Sequence, residues 1–297
     1  MNNEARKKVI YPIIAVCLIV TSYFFALFIL EKIKYNVLIN EKALGILVND
    51  FNGNKMLIDT QDYVVSDRIL HTGQWEPYIS NVLNKVIKPG QTVVSIGGHI
   101  GYHAINQSQI VGDRGHVYCF EPNPHNLKFL RANVVLNNVN NMTIYDKAAY
   151  SRNGVLRFAA RKNTGCSHVI TDKTAIEKDA KEIEVNAVTL DDVLKHVDKI
   201  DVLQMDIEGS EPNAIYGAKD IIQRSPNLTV VQEWNVAIMS GHSDVPTYVK
   251  FWRDLGYSFA QILDNALVEL SDKQLLQNPA CDVVITKDLP GLMRLYS

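Results

Sequence analysis

From Thr92 onward, short apolar runs alternate with segments whose apolar residues recur at helical spacing. The runs Thr92 to Ile96, Val117 to Glu121, Thr143 to Ala148, Val155 to Ala159, Ile183 to Ala187, Val202 to Asp206 and Leu228 to Glu233 predict strands. Between them, Tyr102 to Val111, Pro124 to Leu136, Leu190 to His196 and Glu211 to Ile222 predict helices, with a further helix from Val245 to Leu255. Two last runs, Tyr257 to Leu263 and Asp282 to Thr286, predict a closing strand pair. Alternation of this kind means an α/β fold, a Rossmann-like, mostly parallel sheet with helices on both faces, here with an antiparallel last strand.

Upstream the pattern changes twice. Val9 to Leu30 is an uncharged, mostly apolar run between Arg6-Lys7-Lys8 and Glu31-Lys32. At about 22 residues it is long enough to cross a hydrocarbon core as a helix and too long for a typical signal peptide core. It predicts an N-terminal transmembrane helix and a single-pass membrane protein, with a cleaved signal or a buried helix as the alternative. Basic residues flank it on both sides, so charge gives only a slight lean to an inside N-terminus. Residues 1–8 then form a short basic tail, 9–30 the anchor, 31–74 a juxtamembrane linker with a small β-rich lead-in, and 75–297 the main domain. Within the lead-in, Ile46 to Val48, Lys55 to Ile58 and Tyr63 to Val65 predict short strands around the Asn52-Gly53 turn. Tyr78, Val82, Leu83 and Val86 lie at helical spacing and stop at Pro89-Gly90.

The net charge of -2 over 297 residues offers no basic footprint for nucleic acid. Cys17, Cys119, Cys166 and Cys281 show neither disulfide nor metal spacing.

Candidate chemistry begins where the first strand breaks into Gly97-Gly98-x-x-Gly101 and the second ends on Glu121. Glycines at a strand-to-helix turn let backbone approach a ligand without Cβ clashes, and a helix N-terminus offers unpaired N–H groups. A carboxylate at the next strand tip, about 20 residues on, can take both hydroxyls of a ribose. The glycine spacing differs from the G-x-G-x-x-G of dinucleotide binders, and no second βαβ half follows. A nicotinamide-dependent oxidoreductase is therefore the weakest reading.

The segment TLDDVLKHVDKIDVLQMDIEGSEPNAIYGA (189 to 218), with WEPY (75 to 78), FEPNPHNLKFLRANVVLNN (120 to 138) and KAAYSRNG (147 to 154), resembles the FkbM family of S-adenosylmethionine-dependent methyltransferases. The resemblance runs from about Trp75 to Thr286. It implies the Rossmann-like methyltransferase fold, S-adenosyl-L-methionine as cofactor and oxygen as the preferred acceptor atom. Two stretches depart from the family pattern. Where the family strand ends D-x-G-A-N-x-G, this chain has Ser95-Ile96-Gly97-Gly98-His99-Ile100-Gly101, and where the family often has Lys in K-x-D-x-E-G, it has Gln204. Ser95 carries no charge to pair with the cofactor's ammonium group.

In an open parallel sheet ligands sit beyond the carboxyl ends of the strands. Ser95, Gly97, Gly98, Gly101, Glu121, Asn123, Asp146, Ala148 and Asp206 are the expected cofactor-binding residues, with Glu121 on the ribose and Asp146 or the backbone near Ala148 at the adenine. A hydroxyl acceptor must lose a proton, which calls for a base. Asp206, Glu208 and Glu233 are the candidate catalytic residues, Asp206 toward the sulfonium end and Glu208 as base. These three could also hold a divalent ion, but nothing has fixed metal-loop spacing and no metal is assigned. His99, His103 and His242 are secondary candidates. The Arg161 to Lys181 segment and the loop after Trp234 are the expected seats of substrate choice. The expected function is a membrane-anchored methyltransferase acting on a sugar, glycan or small-metabolite hydroxyl. The competing reading is a catalytically weak or inactive membrane-tethered cofactor-binding module, motivated by Ser95 with Gly98-His99.

Overall fold

The computed structural model describes residues 45–174, 176, 178–277 and 280–296. The expected basic tail and membrane anchor lie outside the described residues. Among those residues no helix is long and apolar enough to cross a membrane.

Gly45–Asn49 (β1) and Lys55–Asp59 (β2) pair as a two-stranded sheet. The strand expected at Tyr63 to Val65 is instead the entry to a helix, Val65–Thr72 (α1). Asp62 causes the change: its carboxylate accepts the backbone N–H groups of Val64, Val65 and Ser66 at 3.1, 3.3 and 3.0 Å. A side chain that satisfies the orphan donors of a first turn outweighs the β preference of two valines. Pro77–Val86 (α2) follows.

The remaining strands are β3 (Thr92–Ile96), β4 (His116–Phe120), β5 (Met142–Tyr145), β6 (Ala148–Ala149), β7 (Gly154–Ala160), β8 (His168–Val169), β9 (Lys181–Val188), β10 (Val202–Met205), β11 (Thr229–Trp234), β12 (Ser258–Leu263), β13 (Ala266–Glu269) and β14 (Cys281–Thr286). Eight of them form one sheet in the order β13-β12-β14-β11-β10-β3-β4-β5. Its centre, β11-β10-β3-β4-β5, is parallel, and β14 slots antiparallel between β11 and β12. The expected antiparallel last strand is β14.

Neighbouring residues on each strand feed different cores. Val94, Leu203, Val230 and Val283 join a cluster with Trp234, Tyr248 and Trp252. Val93, Val202, Val231 and Val284 join a cluster with Val82 and Leu83 of α2 and with Ile87 just after it, on the other face. Both faces are apolar because helices cover both, which is why these strands read as unbroken apolar runs.

The alternation does not feed one sheet throughout. β6, β9, β7 and β8 form a separate four-stranded sheet, with β7 antiparallel to both β9 and β8. The single helix expected from Glu211 to Ile222 is two, Glu211–Tyr216 and Lys219–Gln223. It breaks at Gly217, where a Cβ would lie 2.0 Å from the Tyr150 carbonyl oxygen. The lead-in packs on the helices Tyr102–Val111 (α3) and Pro124–Leu136 (α4): Met56, Ile58, Val65 and Ile69 share a cluster with Ile105 and Phe129. Asn133 of α4 exchanges bonds with Leu57, accepting its N–H at 2.6 Å and donating to its carbonyl at 3.0 Å.

Candidate active site

The carboxyl ends of β3, β4, β10 and β11 open into a cavity of about 380 Å³. β3 and β10 are parallel neighbours, so their tips come side by side. Gly97, just past β3, has φ +83, and a Cβ there would sit 2.0 Å from the Asp206 carbonyl oxygen. Only glycine allows the turn to lie this close to the neighbouring strand tip. The Gly97 and Gly98 N–H groups both donate to the Phe120 carbonyl at 3.0 Å, so the turn is held from within.

One strand over, the Glu121 carboxylate lines the cavity with 4 % of its surface exposed. It accepts the His99 N–H on Oε2 and the Asn123 N–H on Oε1, each at 2.8 Å. Burial pushes the carboxyl up to about 7, against the opposing pull of these N–H groups. The bonds aim the carboxylate while leaving acceptor capacity on both oxygens.

Of the expected cofactor-binding residues, Ser95, Gly97, Gly98, Glu121, Ala148 and Asp206 line the cavity, and Gly101, Asn123 and Asp146 do not. Gly101, at φ +96, is the N-cap of α3. Asn123 caps α4, its side chain accepting the His125 N–H at 3.0 Å. Asp146 stands outside the lining, next to Lys147 and Ala148, which belong to it. It lies past the end of β5 at the edge of the sheet, more than half exposed, paired with Arg131 at 3.3 Å.

The three expected catalytic carboxylates converge. Asp206, Glu208 and Glu233 each place one oxygen within 4.8 Å of the others. β10 ends at Met205, yet Glu208 remains beside Asp206 because the chain turns back through a left-handed residue, Glu208 at φ +54. Among the described residues four non-glycines have positive φ, and Glu76, His99 and Glu208, three of them, line this cavity. Backbone strain of this kind persists only where the fold enforces it.

Two acids missing from the sequence reading complete the wall. Asp282 on β14 is the cross-strand partner of Glu233 on β11, and Glu76 reaches the cavity from the N-cap of α2. The signal for Asp282 was available in the strand pattern: an acid inside a closing antiparallel strand must face something. The His103 imidazole stands 3.2 Å from the Glu76 carboxylate. Burial, then repulsion from Glu76, Glu233, Glu208 and Asp282, lifts Asp206 well above the usual carboxylate range. Burial followed by Glu208, Glu211, Asp282 and Glu76 takes Glu233 to about 9, and burial with Glu76 takes Asp282 to about 7. His99 is held neutral by burial, its Nε2 2.6 Å from Thr164 Oγ1.

These acids fit S-adenosyl-L-methionine by charge. The wall holds Glu76, Glu121, Asp206, Glu208, Glu233 and Asp282 against Lys147 as the cation among its lining residues. A ligand with a sulfonium and an ammonium supplies the positive charge that would let these groups ionise together. Ile96, Phe120, Ala149 and Phe158 add an apolar shelf for a flat base.

Residues 95–259, more than half of the chain, match the family model of the Methyltransferase FkbM domain. No curated protein matches the sequence. Among solved structures, the fold is similar to precorrin-6y C5,15-methyltransferase from Geobacter metallireducens, at 15% identity and TM-score 0.39 over 70% of this chain and 88% of that one. It is similar to a SAM-dependent methyltransferase from Aquifex aeolicus, at 11% identity and TM-score 0.41 over 76% and 96%. A third likeness is Aeropyrum pernix fibrillarin in complex with S-adenosyl-L-methionine, at 14% identity and TM-score 0.41 over 83% and 96%. The family match, spanning the glycine turn, Glu121 and the Asp206 to Glu208 tip, shows that the chain belongs to the FkbM family of methyltransferases, whose cofactor is S-adenosyl-L-methionine.

Proposed function

We propose that this chain methylates the oxygen of a hydroxyl on a sugar, glycan or small metabolite, working as a single-pass membrane-anchored enzyme. The observation that carries the oxygen preference is the meeting of Asp206, Glu208 and Glu233 within 4.8 Å. When bound, S-adenosyl-L-methionine supplies a methyl carbon on a cationic sulfur, open to in-line displacement. Glu121 takes the ribose hydroxyls, and Asp206 faces the positive end. Glu208, which meets Asp206 and Glu233 at the cavity wall, accepts the acceptor's proton. Val9 to Leu30 supports the membrane anchor through its length and lack of charge. The division into tail, anchor, linker with lead-in, and methyltransferase domain from residue 75 goes with that reading.

The inactive-module alternative drew its force from an uncharged Ser95 together with Gly98-His99. In the structure Ser95 Oγ donates to Gln204 Oε1 at 2.8 Å, so the residue has a defined partner and the site keeps its acids.

The test is methyl transfer from isotope-labelled S-adenosyl-L-methionine by the full-length protein to pools of free sugars, nucleotide sugars and lipid-linked glycans, with products read by NMR. A base-stable methyl ether is expected, with turnover falling about 100-fold or more in Glu208→Gln while S-adenosylhomocysteine affinity is kept. Label found only on nitrogen or in base-labile esters would sink the oxygen assignment.

A further inference from the structure

Glu76 precedes Pro77 at the entry to α2, yet it behaves neither as a pre-proline residue nor as a capping acid. A residue ahead of proline is ordinarily extended, because the ring crowds its helical conformations. Glu76 instead lies at φ +43, ψ 67, in the left-handed region that a residue with a Cβ rarely enters. Its carbonyl does serve the helix, accepting the Ser80 N–H at 3.0 Å, but its side chain makes no capping bond there. The carboxylate turns to the acidic cavity, where the His103 Nε2 stands 3.2 Å from Oε2. Helix capping therefore explains neither the strain nor the direction of the side chain. Strain of this kind clusters where ligands are held.

The other acids of the wall are already matched. Glu121 is aimed by the N–H groups of His99 and Asn123 and stands ready for a ribose. Asp206, Glu208 and Glu233 meet one another, and Asp282 takes the Tyr78 hydroxyl. Ser95 is bonded to Gln204, so the end of β3 offers no charge to a cationic ligand. Of the charges that act on Asp206, Glu76 acts most strongly, ahead of Glu233, Glu208 and Asp282, and it is also the charge that acts on Asp282. Glu76 thus belongs to the same end of the cavity as Asp206. S-adenosyl-L-methionine carries its sulfonium and its ammonium close together, joined by a short carbon chain, and two neighbouring acids suit that pair.

Resting on the cofactor reading of this cavity, we propose that Glu76 receives the ammonium group of S-adenosyl-L-methionine. It supplies from the entry to α2 the charge that Ser95 does not supply from β3. Asp206 keeps the sulfonium end and Glu121 the ribose. His103 steadies the Glu76 carboxylate through one oxygen, and a carboxylate has acceptor capacity for further donors. The left-handed turn is what carries an acid from outside the main sheet to the cofactor.

The full-length protein and its Glu76→Gln variant are titrated by calorimetry with S-adenosylhomocysteine and with its deaminated analogue, in which hydrogen replaces the amino group. The two ligands share adenine, ribose, thioether and carboxylate, so the affinities form a cycle that isolates the contact between Glu76 and the ammonium. Glu76→Gln should weaken S-adenosylhomocysteine on the order of tenfold, the loss of one charge-assisted bond. The deaminated analogue should bind the variant as well as it binds the parent, or better, because that ligand is an anion and the variant removes a negative charge. Its binding also reports that the variant's cavity is folded. Equal weakening of both ligands would make Glu76 a structural residue, and unchanged affinity for S-adenosylhomocysteine would place the ammonium elsewhere. Either result overturns the proposal and leaves the cofactor reading standing. Failure of the parent protein to bind S-adenosylhomocysteine would remove that reading, and this role of Glu76 with it.

Discussion

Ser95 and Gln204 are register partners on adjacent parallel strands, β3 and β10, and their side chains share a 2.8 Å hydrogen bond in a buried position. They are also two of the places where the chain departs from the family pattern described above, one losing an acid and the other a base. Contact turns two separate anomalies into one exchange of an ion pair for a neutral pair. Returning only the acid should therefore harm the protein. Ser95→Asp is expected to lose about 3 kcal/mol of stability, the scale of a buried charge without its partner, and Ser95→Asp with Gln204→Lys to recover most of it. Thermal melts of the two single variants and the double variant measure the coupling, and simple additivity would show that the pair does not act as a unit.

Stability without ligand should fall as pH rises. In the unfolded chain Glu233 and Asp282 titrate near about 4, whereas in the fold burial and neighbouring acids hold them at about 9 and about 7. Between these limits the folded state binds more protons, so the stability present at about pH 4 is lost as pH climbs through 7 and toward 9. A melting temperature that rises over this range would contradict the assignment of both groups.

The same acids should distinguish the cofactor from its product. S-adenosyl-L-methionine, with its sulfonium, favours ionised carboxylates and should release more protons on binding at pH near about 7 than the uncharged thioether S-adenosylhomocysteine does. Calorimetry in buffers of different ionisation enthalpy reads the difference directly. Equal release would mean that the acidic wall does not face the sulfur.

Asp282 opposes Glu233 across an antiparallel pair, and the Tyr78 hydroxyl hydrogen-bonds to it. Asp282→Asn keeps the shape and a hydrogen-bonding oxygen while removing a charge. The ligand-free protein should gain about 1 kcal/mol near neutral pH, and S-adenosyl-L-methionine affinity should drop more than S-adenosylhomocysteine affinity. Chemical denaturation and paired titrations provide the check, with unchanged affinity for both ligands excluding a role for Asp282 at the cofactor.

His99 joins the glycine turn to the segment after β7 through Thr164. His99→Asn tolerates the left-handed backbone there but is too short to keep the bond. Amide exchange around residues 163–170 should speed up about tenfold while α4 is unaffected, the effect of losing one buried hydrogen bond.

Much of the architecture could be read locally. The bounds of α3 and α4 match expectation because their starts are written in Gly101 and in the Asn123-Pro124 cap, and the parallel strands stand out because both faces are apolar. What escaped depends on distant partners. Nothing near Gly154 or Lys181 says that β7 and β9 leave the main sheet for each other, and Tyr63 to Val65 look extended until Asp62 claims their N–H groups. The site divides in the same way. Glu121, Asp206 and Glu233 sit at the tips of β4, β10 and β11, all within the parallel centre of the sheet, so sheet order suffices to gather them. Glu76 depends on a left-handed turn and Asp282 on which gap β14 enters, and neither is written beside the residue.

That gap also sets a timetable. β14 follows all its sheet partners along the chain, yet it fills the space between β11 and the β12-β13 pair, and it carries Asp282 beyond the stretch matched by the family model. While the ribosome is still working, β11 has an open edge, and β12 and β13 have no neighbour to join them to the sheet. The acidic wall stays incomplete until synthesis has passed Asp282. A nascent or C-terminally clipped molecule would thus carry the glycine turn and Glu121 but not the finished pocket, and an exposed strand edge would mark it for quality control.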